Sequence, residues 1–397
     1  MSQSQQAILF LASWYPTPQN NNHGVFIKNH ALALSKYSPV IVIYAYSSKN
    51  PTQKNIQKNK SGNFEEWFIE YKKEDSNVPI VSSILKLKRF KAAYKTLLKE
   101  LIRCNISVKA IQLNTIFSAS IALPLFQNHF KVPYTIVEHW SGYLPEDGNY
   151  KGIIQKYFTK KAVASASKIF YVSEKQKQEM LNNHLLGDYE LLYNVVDTKI
   201  FQENKNVKSH KPILLHVSSL IEKEKNISGT LNVIKKLQQA NYQFEFIIVG
   251  GNENLISHFK EKANRLGLIN TIFVGEKTQL EVAAIMQKAN ALILFSNYEG
   301  MPVVVLEALA VGVPVFASRV GQLPYLITPE MGQLVNAGDE KELETKLKEF
   351  LEGKLKFDSK KMIDFIAENA SQDVVGKKLA DYYSTLCSST NLVNSTN

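Results

Sequence analysis

The chain has 397 residues, 45% apolar and 21% charged, which suits two soluble domains of roughly 150–200 residues rather than one core. No apolar run reaches the ~18–20 residues of a membrane span, and two cysteines, Cys104 and Cys387, are too few for a disulfide framework. They are expected to be free thiols in a reducing cytosol. The net charge of +11 is uneven: residues 1–190 hold 24 basic against 13 acidic side chains, and residues 191–397 hold 23 against 23. The first half is therefore expected to meet something anionic: a membrane surface, a phosphorylated acceptor or nucleic acid.

The N-terminal MSQSQQAILFLASWYP lacks the charged start and long apolar core of a secretory signal. Its apolar run reads as a first buried strand, 7–13. Further strands follow at 39–46, 67–71, 108–114, 134–140 and 168–173, several apolar on both faces as buried parallel strands are. Helical patterns separate most of them, at 24–36, 82–103, 118–129, 150–165 and 174–184. After YELLYNVVD (189–197) comes a polar segment, 198–211, read as a linker. The alternation then restarts: strands at 212–219, 244–251, 271–276, 291–296 and 314–318, with helices at 226–240, 254–266 and 278–289 and one opening near Pro302. Helical stretches at 339–352 and 359–388 close the chain. The pattern predicts an α/β protein with two doubly wound Rossmann-like domains facing a cleft, where ligands bind beyond the carboxyl ends of the strands. The expected division is 1–197, 198–375 and a final helix and tail, 376–397, packing back on the first domain.

The usual nucleotide and metal signatures are absent. There is no G-x-x-x-x-G-K-[ST], no G-x-G-x-x-G after the first strand, no H-E-x-x-H, no Cys/His cluster and no D-x-D. The E-x-E pairs at 222–224 and 340–344 sit in charged stretches and read as solvated. The strand-to-helix loops carry more. His23-Gly24-Val25 opens a helix after a long polar loop, and Glu138, His139 and Trp140 end the fifth strand. Lys225 immediately precedes a helix; a lysine beside a helix N-terminus makes a phosphate site, although Lys223 fits the same spacing. In NYEGMPVVVLEALAVGVPVFAS (297–318), Pro302 suits a first helical position, and the helix start behind it is a natural diphosphate seat. Glu307 lies one to two turns inside an apolar helix, where an unpaired carboxylate is costly. It must meet a basic group or a ligand's hydroxyls. Glu299 and Glu307 on either side of an anion seat suit a sugar nucleotide.

These residues resemble those of glycosyltransferase family 4, retaining enzymes of the GT-B fold. EGMPVVVLE (299–307) reproduces the family's E-x7-E signature. WYP…HGVFIKNHALAL, HW after the fifth strand, LLYNVVD and the KN at 225–226 are also similar, in order, over nearly the whole chain. The resemblance implies that Glu307 accepts the ribose hydroxyls, and that Glu299 contacts the transferred sugar with the backbone of Gly300, Met301 and Pro302 beside it. Lys225 would pair with the diphosphate, His139 would lie near the sugar, and Gly24 would sit against the diphosphate from the other domain. Gly251 is placed with the donor, and Val274 in FVGE (273–276), which borders the base. No metal or other cofactor is implied beyond the sugar nucleotide itself. Retention is explained by same-face attack, with the leaving diphosphate taking the acceptor's proton. Ser219 stands where the family carries an arginine, so half of the positive clamp is missing unless Lys223 supplies it.

The expected activity is transfer of a hexose-type sugar from a UDP- or GDP-sugar to a glycan or lipid-linked acceptor. The competing readings are a nucleotide-sugar epimerase or hydrolase, and a non-catalytic sugar-nucleotide binding protein. The basic stretch 82–103, with Lys86, Lys88, Arg89, Lys91, Lys95, Lys99 and Arg103 among apolar residues, is a candidate face for an anionic membrane. The protein is expected to be cytoplasmic and peripheral to the inner face of the plasma membrane. No nucleic-acid module is present, so nucleic acid is not expected as a partner.

Overall fold

The structure, a computed structural model, describes residues 6–18, 20, 23–49, 51, 55–73, 79–203 and 211–394. Most of the segment read as a linker, 204–210, lies outside them. The first domain runs β1 (Ala7–Ala12), α1 (Val25–Ser35), β2 (Val40–Ser48), β3 (Gln57–Ser61), β4 (Phe64–Lys72), α2 (Pro79–Arg103), β5 (Val108–Asn114), α3 (Ile116–Ala119), α4 (Leu123–Phe130), β6 (Tyr134–Glu138), α5 (Ile153–Ala164), β7 (Lys168–Tyr171), α6 (Glu174–Asn182) and β8 (Tyr189–Leu191). The second runs β9 (Ile213–Val217), α7 (Glu222–Lys225), α8 (Ile227–Gln239), β10 (Glu245–Val249), α9 (Glu253–Arg265), β11 (Thr271–Gly275), α10 (Gln279–Met286), β12 (Ala291–Leu294), α11 (Val303–Ala310), β13 (Val315–Ser318), α12 (Leu323–Leu326), β14 (Gly332–Val335), α13 (Glu340–Leu351) and α14 (Ser359–Asn369), and α15 (Gln372–Asn394) follows.

The first sheet has the order β3-β4-β2-β1-β5-β6-β7-β8 and is parallel except for the β3–β4 hairpin. The second, β11-β10-β9-β12-β13-β14, is parallel throughout. In each, the chain starts in the middle, builds one wing and then the other. The order reverses between β1 and β5 and between β9 and β12, and the strand ends at such a reversal form a crevice. The central strands are apolar on both faces because both are covered: every residue of β1 is buried. Helices α2, α4 and α5 cover one face of the first sheet. Helices α1 and α15 cover the other, with Val375, Leu379 and Tyr383 of α15 packed among Ile8, Phe10, Ile27 and Leu34.

Helix α15 therefore leaves the second domain and docks on the first. The Tyr383 hydroxyl shares a hydrogen bond with Thr135 Oγ1 at 2.6 Å and donates to Gln112 Oε1 at 2.9 Å. Beside the crossing, the Val196 N–H donates to the Ala370 carbonyl at 2.8 Å. The stretch read as one helix over 118–129 is two, α3 and α4, because Pro124 belongs to a first turn and not to a helix interior. Cys104 and Cys387 are both free thiols.

Candidate active site

Four segments converge where the two domains face each other. The first is the turn from β9 into α8. Asn226, in the left-handed region at φ 46°, ends α7 and caps α8 by accepting the Gly229 N–H at 3.2 Å. That reversal aims Lys225 inward. The second is the loop 297–302 before α11. It is stitched to the first by the Asn297 N–H donating to the Glu224 carbonyl (2.8 Å) and by Asn297 Nδ2 donating to the Lys223 carbonyl (3.0 Å). Lys225 Nζ consequently sits 2.7 Å from Glu299 Oε1 and 2.7 Å from Glu224 Oε1, and Ser296 Oγ donates to Glu299 Oε1 at 2.6 Å. Burial alone pulls the ammonium of Lys225 down, but the two carboxylates outweigh it and hold its pKa above the ordinary value. Burial raises Glu224, against the pull of Lys225. Glu224 is thus no solvated surface acid, as its charged sequence context suggested, but the third member of a partly buried cluster.

Glu307 behaves differently. It is 8% exposed, and its carboxylate has no ion-pair or hydrogen-bond partner among the described residues. Burial lifts its pKa to about 7. It borders a cavity of about 590 Å³ to which both domains contribute: Asn20, His23, Val25 and Phe26 from the first, and Val217, Ser219, Gly251 and Val303 among those from the second. Pro302 stands one residue before the helix and not at its first position. Its ψ of 119° is extended, so α11 begins at Val303. The free N–H groups of that helix start lie beside the cavity.

The third segment is the set of strand ends at β9, β10 and β11. The imidazole of His216 is held neutral by burial, its pKa down to about 4. Its Nδ1 bonds the Ile293 carbonyl at 2.9 Å, so Nε2 accepts from Ser218 Oγ at 2.7 Å. This pins the turn that carries Ser219. Gly251, at φ 75°, lines the cavity, and a Cβ there would stand 2.5 Å from Leu220 Cδ1. Val274 packs against the apolar core instead; the cavity wall next to it is made by Glu276 and Lys277.

The fourth segment is the cleft edge of the first domain. Gly24 caps α1 at φ 72°, and a Cβ there would lie 2.7 Å from the Trp14 carbonyl carbon. Its freedom serves a close approach to its own chain, while its neighbours His23 and Val25 face the cavity. His139 is half-buried, but both of its ring nitrogens are buried without a hydrogen-bond partner, and its ring lies 4.4 Å from Phe26 and 5.2 Å from His30. Burial and then the neighbouring His30 hold it neutral. Glu138 turns away. It accepts the N–H groups of Ile116 (3.1 Å), His139 (2.9 Å) and Trp140 (2.9 Å) and the Tyr143 hydroxyl (3.0 Å), and it shapes the loop. Between the domains, Asn194 Nδ2 donates to the Met301 carbonyl at 2.8 Å and the Glu174 N–H donates to Gln322 Oε1 at 2.9 Å, while within the second domain the Gly300 carbonyl accepts the Gln322 N–H at 2.9 Å.

Lys223, the alternative cation, is occupied. Its ammonium donates to the Asp147 carbonyl at 2.9 Å and stands 5.9 Å over the Tyr298 ring. The lysine on the cavity wall is Lys277, paired with Glu281 at 3.3 Å. Three members of the site escaped sequence reasoning: Glu224, Ser296 and Lys277. Only the adjacency of Glu224 to Lys225 signalled any of them. Among the described residues no group of His, Cys, Asp and Glu is arranged to hold a metal ion.

Comparison with known proteins fits this geometry. Residues 197–372 match the family model described as Glycosyl transferases group 1. An uncharacterised glycosyltransferase of Methanocaldococcus jannaschii is 27% identical over 228 residues, 57% of this chain and 61% of the relative. An amylovoran biosynthesis glycosyltransferase of Erwinia amylovora is 31% identical over 159 residues, 37% of this chain and 39% of the relative. The matched segments thus span less than two thirds of these curated relatives. Among solved structures, sucrose-phosphate synthase from Thermosynechococcus elongatus superposes with a TM-score of 0.78 at 17% identity, covering 97% of this chain and 100% of that one. Anabaena HepE in complex with UDP and glucose superposes with a TM-score of 0.70 at 14% identity, covering 96% and 99%. The fold is GT-B, and the matched C-terminal domain is that of a transferase enzyme.

Proposed function

We propose that the protein is a retaining glycosyltransferase of family 4. It moves a hexose-type sugar from a UDP- or GDP-sugar to a hydroxyl of a glycan or lipid-linked acceptor in cell-surface polysaccharide or glycolipid synthesis. The observation that carries this reading is the contrast between two acids eight residues apart. Glu299 is neutralised by Lys225, whereas Glu307 is buried, unpartnered and turned to an interdomain cavity. A carboxylate in that position is stable once it accepts hydrogen bonds, and a ribose diol supplies two.

On this reading the start of α11 and Lys225 hold the diphosphate, and Glu299 and the neutral His139 hold the sugar. Ser219, Gly251, Gly24 and the backbone of Gly300, Met301 and Pro302 border the donor, with Glu276 and Lys277, which follow Val274, on the cavity wall toward the base. The acceptor oxygen bonds to the anomeric carbon on the face that the diphosphate leaves. The bond from that carbon to the phosphate oxygen breaks, and the acceptor's proton passes to the departing diphosphate. The reaction asks for no metal. The positive charge of α2 draws the first domain toward an anionic membrane.

A thermal-shift screen against UDP, GDP, ADP and their sugars tests the donor site. One uridine or guanosine compound is expected to raise the melting temperature, and no shift by any of them would overturn the reading. With the donor found, Glu299→Ala is expected to abolish transfer while leaving the fold intact, and a chelator is expected to leave turnover unchanged. Near-normal turnover by the variant, or loss of activity with chelator, would refute the respective assignment.

A further inference from the structure

The first domain carries an apolar patch that the cleft does not use. On α5, Ile153, Ile154 and Tyr157 are 87%, 58% and 61% exposed. The opposite side of the same helix, Thr159, Ala162 and Val163, is buried. Lys151, Lys156, Lys160 and Lys161 surround the patch, all exposed and none in an ion pair among the described residues. From Gly148 to Ser173 the sequence contains no acidic residue. An ordinary solvated helix keeps the lysines, but it has no reason to raise two isoleucines and a tyrosine together into water.

We propose that this face of α5 seats the protein on an anionic lipid surface. The three apolar side chains enter the boundary between headgroups and acyl chains, and the lysines lie along the lipid phosphates. Helix α2 covers the same face of the first sheet and adds positive charge. Among its described side chains the exposed large apolar residues, Ile84 and Ile102, lie roughly 27 Å apart at ~1.5 Å per residue and form no patch like that of α5. The anchor is tied to the cleft. The loop from His139 to Gly152 leads directly into α5 and is stiffened by the Tyr143 and Tyr150 rings at 4.8 Å. Lys156 lies 5.7 Å over Tyr150, and the same loop offers the Asp147 carbonyl to Lys223 at 2.9 Å. Docking through α5 therefore brings the mouth of the cleft to the membrane.

Flotation with phosphatidylcholine vesicles, with and without phosphatidylglycerol, tests this. The full chain is expected to float only with the anionic vesicles, and less as salt rises. Replacing the patch by Ile153→Ser, Ile154→Ser and Tyr157→Ser together is expected to weaken binding at least about tenfold. Lys156→Ala with Lys160→Ala and Lys161→Ala is expected to weaken it comparably. Both variants should keep the circular dichroism and the nucleotide-induced thermal shift of the parent, which separates this inference from the reading of the cleft. Absence of flotation by the parent, or flotation unchanged in the serine variant, would overturn it. So would a self-association that the serine variant abolishes in place of vesicle binding.

Discussion

Glu307 is the residue whose chemistry is easiest to interrogate. Its folded pKa of about 7 lies above the ordinary carboxylate value. The stability its neutral form contributes is complete below that ordinary value and is lost as pH rises through about 7. Glu307→Gln should therefore raise the melting temperature at pH 8, where the parent buries a charge, and much less at pH 5. Because ribose hydroxyls favour the ionised form, nucleotide binding near pH 7 should release protons from the parent and not from the variant. Calorimetry in buffers of different ionisation enthalpy reads both. Lys225 sets the opposite problem: it serves two carboxylates. Glu299→Ala leaves it Glu224, whereas Lys225→Ala leaves two acids facing each other without a cation. The lysine variant should lose about 3–5 kcal/mol of stability in urea unfolding, and the glutamate variant clearly less. In the sequence, Glu299, Glu307 and Lys225 stand out because charge in an apolar run or beside a helix start needs a reason. Glu224 does not, since one more acid in EKEKN looks solvated until the chain reversal at Asn226 is known. Lys277 likewise becomes visible only when the wall of the cavity exists.

Among the elements, the buried strands were the most legible, because a parallel sheet covered on both faces demands uninterrupted Val, Ile and Leu. The polar edge hairpin strand β3, QKNKS, has no such mark. Its charges suit an edge that must not pair further, and they hide it from hydrophobic patterning. Strand β14, GQLV, is no shorter than β12 or β13 but has only two apolar residues behind a glycine and a glutamine, so no apolar run marks it. The helix read over 118–129 failed for a local reason, since Pro124 opens a helix there and so divides the segment. The last helix tests how two elements from different domains are fitted. A Cβ on Gly376 would lie 2.2 Å from the Ala33 carbonyl oxygen of α1. Gly376→Val should push α15 off α1 and destabilise the protein by about 1–3 kcal/mol, seen as a lower denaturant midpoint.

For the molecule as a whole, the charge asymmetry has a structural location. The basic excess belongs to the domain whose outer face bears α2 and α5, and no described helix is long and apolar enough to cross a membrane. The two-domain plan followed from a periodic pattern that stops and restarts. The way the domains are joined did not, since it depends on backbone contacts between residues far apart in sequence. The chain passes from one domain to the other near Val196 and returns near Ser371, and these two passages pair with each other. Val196 bridges Ser371, and Gln372 Nε2 donates to Asp197 Oδ2 at 2.9 Å. Two crossings fused side by side form one axle, not two separate tethers. Rotation about it changes the width of the cavity mouth while the distance across the paired crossings stays constant. A probe pair on either side of the mouth then reports the stroke, and a pair at the axle serves as its built-in zero.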